Sequence, residues 1–157
     1  MSDNYISNIT HDETIQMADD FIKTASNPQS AMEGIVGLLI ASFAHYDWVG
    51  IYLMVDNNTL RLGPFRGDPS PHTEIPIDKG ICGAAVRERQ TIIVPDVNAD
   101  PRFLACSIKT RSEIVVPIKR GDLILGEIDI DSDLINAFDD RDRKMLEKIA
   151  AGLAEIM

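Results

Sequence analysis

Apolar residues recur along the first forty positions at a spacing near 3.6. Ile15, Ala18, Phe21, Ile22 and Ala25 form one stripe that begins after Thr10 and stops at Asn27-Pro28, where the residue before a proline is pushed out of the helical region. Pro28 suits the first turn of a second helix, carried by Met32, Ile35, Val36, Leu39, Ile40 and Phe43. The texture then changes to β-branched and aromatic residues. Trp48–Val55 reads as a strand, 56–58 as a turn, and Thr59–Leu62 as the returning strand of a hairpin.

After a loop at Gly67–Pro71, Thr73–Ile77 reads as a short strand whose proline puts it at a sheet edge or strand end. Gly80–Arg89 predicts a short helix with a glycine entry, Thr91–Val97 a strand and Asn98–Lys109 an irregular segment. A second hairpin joins Ser112–Lys119 to Leu123–Asp131 through Arg120-Gly-Asp122, and a last helix starts near Asp139 and buries Met145, Leu146, Ile149, Leu153 and Ile156. The order α-α-β-β-β-α-β-β-β-α predicts an α+β fold. Its central sheet is mainly antiparallel, of about six strands, with the helices of the two chain ends packed on one face. Residues 1–157 are expected to form a single domain, 1–10 being a flexible N-terminal segment.

With 157 residues, 45% hydrophobic and 25% charged, the chain is long enough for one core and too short for two domains. A net charge of −10 argues against a nucleic-acid or anionic-membrane partner, both of which attract basic patches. No apolar run approaches the roughly 20 residues that span a bilayer. The polar start, Met1–Asp12, lacks the pattern of a signal peptide, so a cytoplasmic location is expected. Two cysteines are too few for a disulfide scaffold and read as free, metal-bound or redox-active; three widely separated histidines give a zinc site little support.

Three groups of residues could carry chemistry. Cys82 sits in the first turn of a helix, where the dipole favours a thiolate, while Cys106 sits in an irregular segment near Arg102, Lys109 and Arg111. Local physics favours Cys82, the loop setting favours Cys106, and both are equally consistent with small buried hydrophobes. Asp129 and Asp131 alternate with Ile128 and Ile130 on one strand, so the acids share a face. Glu113 opens the neighbouring strand and joins them if the register allows. Acids crowded together raise the pKa of at least one, which leaves a carboxyl able to donate a proton; a solvated polar face is the plainer alternative. Trp48 and Tyr52 share a face with Gly50 between them, an arrangement that leaves room for an apolar or methyl-bearing ligand or serves simply as core.

Together these features resemble the free methionine-(R)-sulfoxide reductases, small single-GAF-domain proteins. The likeness runs through Trp48-Val-Gly-Ile-Tyr52, Lys79-Gly-Ile-Cys-Gly83, Val94-Pro-Asp-Val97, Ala105-Cys106, Arg111-Ser-Glu-Ile-Val-Val-Pro-Ile118 and Gly126-Glu-Ile-Asp-Ile-Asp-Ser132, nearly the whole chain. The resemblance implies that Cys106 is the nucleophile, overriding the dipole argument, and that Cys82 resolves the oxidised form. It implies that Glu113, Asp129 and Asp131 line the substrate pocket and that Trp48 and Tyr52 form its aromatic wall. It further implies free methionine sulfoxide as substrate, a thioredoxin-like or other thiol reductant, no cofactor, and a homodimer. His72 stands where many members carry a third cysteine and Ser107 where members often carry an aspartate, which leaves two recycling routes open: condensation with Cys82 or direct reduction by an outside thiol. The alternatives are a GAF domain that senses a small molecule without turnover and one that serves as a dimerisation module.

Overall fold

The computed structural model describes residues 9–104 and 107–157. The chain runs α1 (His11–Thr24), α2 (Pro28–Ser42), β1 (Trp48–Met54), β2 (Thr59–Arg66), β3 (Glu74–Pro76), α3 (Gly80–Glu88), β4 (Ile92–Val94), β5 (Ser112–Arg120), β6 (Leu123–Ser132) and α4 (Asp140–Ile156), with one 3-10 turn at Val97–Ala99. The strands form a six-stranded sheet in the order β3-β2-β1-β6-β5-β4, and every neighbouring pair is antiparallel. The expected α+β architecture is present, with β3 at an edge.

Strand alternation divides the core in two. Val49 and Ile51 of β1, Ile114, Val116 and Ile118 of β5, and Ile128 and Ile130 of β6 pack against α1, α2 and α4 through Ile35, Leu39, Leu146 and Leu153. The alternate residues of the same strands face α3, where Tyr52, Leu60, Ile81, Ala85 and Val115 form a second cluster. The side chains not needed to hold the terminal helices therefore collect on the α3 face.

Helix ends are fixed locally. Thr10, the last residue of the segment expected to be flexible, caps α1 with a reciprocal Glu13 contact, and Asn27 and Asp139 cap α2 and α4. Buried Asp142 ties the first turn of α4 to the rest of the helical layer: it accepts from Tyr46 Oη at 2.5 Å and lies 3.2 Å from His11 Nε2.

Two strand boundaries differ from expectation by more than one residue. β2 continues to Arg66, four residues past Leu62, because the β1–β2 register slips between Gly50 and Tyr52 and sets Gly63 and Pro64 in a bulge rather than ending the strand. β4 stops at Val94, because Pro95 has no N–H to give the ladder and Asp96 accepts from Asn98 N to start the 3-10 turn.

Candidate functional site

The β1, β5 and β6 registers build one row of groups across the α3 face. In β6, Glu127, Asp129 and Asp131 point to this face. Opposite them β5 places Pro117, Val115 and Glu113, and β1 places Tyr52, Gly50 and Trp48. The register thus sets Glu113 directly across from Asp131, bringing together the three acids singled out from the sequence. It adds a fourth, Glu127, which the sequence reading passed over although it continues the same period-two alternation.

All four acids are enclosed, with exposures of 4% for Glu113, 0% for Glu127, 2% for Asp129 and 4% for Asp131. Burial penalises the charged form first and drives every one of them above the ordinary carboxylate range. Glu113 is raised further by the charges of Asp129 and Asp131 and by hydrogen bonds to both, while those bonds hold Asp129 and Asp131 down. All four acids are thus pushed toward their protonated forms, and Glu113 has the charges of both aspartates adding to the effect of burial. Among the described residues, no Lys or Arg forms an ion pair with any of the four.

α3 closes the row from above. Its first turn approaches the preceding chain so tightly that a Cβ on Gly83 would lie 2.5 Å from the Ile77 carbonyl oxygen. This approach seats Cys82 over β6, where Sγ donates to Asp129 Oδ2 at 3.4 Å. The environment reverses the dipole expectation for this thiol: burial first, then the charges of Asp129, Glu127 and Glu113, push it well above its usual range. This shift favours the protonated thiol over the thiolate that the helix dipole would favour. Cys106 lies outside the described residues.

Trp48 and Tyr52 do stand side by side, ring centroids 6.3 Å apart, and Trp48 also stacks on Phe65 at 5.9 Å. The space over Gly50 expected to admit a ligand is filled instead by the Trp48 indole, which a Cβ on Gly50 would strike. Both aromatics are pinned by the loop after β2, Trp48 Nε1 donating to the Asp68 carbonyl at 3.0 Å and Tyr52 Oη to the His72 carbonyl at 2.9 Å. His72 is thus a half-buried support for the aromatic wall through its backbone. Two spaces adjoin the acids. A cleft of about 240 Å³ is lined by Trp48, Asp68, Ser107, Lys109 and Asp131, and a small space of about 10 Å³ is lined by Gly80, Cys82, Leu104, Glu113 and Asp129.

The row makes the free protein sensitive to pH. Glu127 is fully buried, and neither carboxyl oxygen has a hydrogen-bonding partner among the described residues. Its folded pKa lies above the unfolded value near 4.5, so stability is complete below that value and is lost as pH rises through the folded one. Glu127→Gln, which cannot ionise, is expected to raise the melting temperature at about pH 8 and leave it nearly unchanged at about pH 4. A difference that stays flat across this range in thermal melts would contradict the assignment.

Residues 28–156 match the GAF domain family. The chain is similar to the free methionine-R-sulfoxide reductase of Saccharomyces cerevisiae, 37% identical over 158 residues that cover 94% of this chain and 87% of the yeast protein. It is similar to the Escherichia coli protein of the same name, 32% identical over 98% of this chain and 88% of the relative. Among solved structures, the free methionine-R-sulfoxide reductase of Neisseria meningitidis in complex with its substrate superimposes with a TM-score of 0.87 at 33% identity, covering 92% of this chain and 86% of that one.

Proposed function

The chain belongs to the GAF domain family and, within it, to the free methionine-R-sulfoxide reductases, and from that premise we propose that it reduces free methionine-(R)-sulfoxide through Cys106 with Glu113 as proton donor. The observation that supports this reading best is the row of four buried acids, without a basic partner among the described residues, in which burial favours the protonated carboxyl. Such a row suits a substrate that brings a cation, the α-ammonium, and an oxygen that needs protonation as its bond to sulfur breaks.

The proposed reaction begins as the Cys106 thiolate attacks the sulfoxide sulfur. Negative charge collects on the sulfoxide oxygen, and Glu113 delivers the proton. The substrate S–O bond breaks as the oxygen passes to the Cys106 sulfur and the transient bond between the two sulfurs cleaves, so methionine leaves with its sulfur reduced by two electrons and Cys106, oxidised by two, is left as sulfenic acid. A thiol then condenses with the sulfenic acid, releasing water and forming a disulfide that a second thiol opens by exchange. The burial of Cys82 and the shift of its thiol toward the protonated form favour an outside thiol over Cys82 for this step. Asp131, which lines the cleft together with Trp48, and Asp129 provide the negative charge for the ammonium, and Trp48 with Tyr52 walls the apolar part of the substrate.

The test supplies separated R and S epimers of free methionine sulfoxide with dithiothreitol as the thiol and measures methionine. Turnover of the R epimer alone is expected. Folded protein that forms methionine from neither epimer would exclude the enzymatic reading and leave a GAF domain that only binds its ligand.

A further inference from the structure

The small space lined by Cys82, Glu113 and Asp129 holds a donor set with the spacing of metal ligands. Cys82 Sγ, a Glu113 carboxyl oxygen and an Asp129 carboxyl oxygen come from α3, β5 and β6, and these three ligand atoms all lie within 4.8 Å of one another. Cys82 Sγ and Asp129 Oδ2 are 3.4 Å apart, close to the edge of about 3.6 Å between sulfur and oxygen on a tetrahedral zinc ion. The space they line, about 10 Å³, is near the minimum for a single water-sized occupant.

A second observation points to a cation. Asp129 Oδ1 and both oxygens of Glu127 are buried without a partner among the described residues. Glu127 faces the Cys82 sulfur, yet a thiol has one proton and that proton is directed to Asp129. Unpartnered buried acceptors therefore adjoin the three ligand atoms, and among the described residues no Lys or Arg forms an ion pair with them. Such groups are costly unless a charge or donor meets them.

We propose that Cys82, Glu113 and Asp129 bind one thiophilic divalent cation, zinc or a cation of similar preference, with a fourth position left open. The thiolate selects against magnesium and calcium, and three protein ligands from separate elements leave the coordination incomplete in the way zinc accepts. Glu127 and Asp131 form the surrounding ring, Asp131 through its bond to Glu113. On binding, the cation displaces the protons of Cys82 and Glu113 to solvent. Counting histidines does not find this site, because none of its donors is a histidine.

The test titrates the reduced full chain with Co2+ as a spectroscopic stand-in for zinc and measures bound zinc after desalting by elemental analysis. One ion per chain is expected, with tetrahedral visible bands and a near-ultraviolet thiolate-to-cobalt band. The thiolate band should persist in Cys106→Ser and vanish in Cys82→Ser, and Glu113→Gln should weaken affinity at least about tenfold. If Cys82→Ser does not fold, as judged by circular dichroism, Asp129→Asn takes its place and should likewise lose the stoichiometric ion. Absence of stoichiometric uptake, or a band lost in Cys106→Ser and kept in Cys82→Ser, overturns the proposal. Because a bound cation takes the Glu113 proton that reduction uses, methionine formation is measured on metal-free protein, where it tests the reductase reading separately.

Discussion

Cys106→Ser is expected to abolish methionine formation from the R epimer, a fall of at least about 10³-fold in kcat. The reason lies in the redox chemistry more than in nucleophilicity. Reducing a sulfoxide takes two electrons, a cysteine sulfur supplies them by becoming sulfenic acid, and a serine oxygen has no corresponding state. Cys82→Ser, assayed with dithiothreitol, should stay within about tenfold of the parent, since burial and three neighbouring acids push the Cys82 thiol well above its usual range. In the absence of reductant, one turnover should leave a trappable sulfenic acid on Cys106 and none on Cys82, as peptide mass spectrometry would show. Full loss of turnover in Cys82→Ser with survival in Cys106→Ser would invert the assigned roles.

Glu113→Gln is expected to lower kcat by about 10²- to 10⁴-fold with a much smaller change in KM. Glutamine matches glutamate in shape and can donate N–H bonds to Asp129 and Asp131, so the pocket wall persists while the transferable proton is gone. The pH profile separates this from a structural effect. Because Glu113 must be protonated to act and its pKa is raised, kcat of the parent should fall as pH climbs through that raised value. The falling limb should be absent in Glu113→Gln. Four acids interact here, so the apparent pKa belongs to the cluster as a whole. A variant that keeps parental kcat and the same limb would remove Glu113 from the proton-transfer step.

Much of this architecture was legible along the chain because its signals are local. Helix starts at Thr10, Asn27 and Asp139 depend on capping residues, and strand faces on period-two alternation, so element order and the edge position of β3 needed no tertiary information. The misplaced ends have local causes that act only through pairing. Gly63 and Pro64 resemble breakers until a bulge opposite β1 accommodates them, and Pro95 ends β4 by withholding a donor from β5. Glu127 was visible in the same alternation as Asp129 and Asp131, but an acid reads as solvated until the sheet and α3 enclose it.

The sequence by itself determined which residues share a face: periodicity is a property of the backbone, and it places Glu127, Asp129 and Asp131 on one side of β6 and Ile128 and Ile130 on the other. Tertiary structure alone decided what those faces meet. Register set Glu113 against Asp131, packing laid Trp48 over Gly50, and α3 pressed Cys82 onto Asp129. These contacts overturned the helix-dipole argument for Cys82, because desolvation and like charge within a few ångströms outweigh a dipole of about half a charge at a helix end.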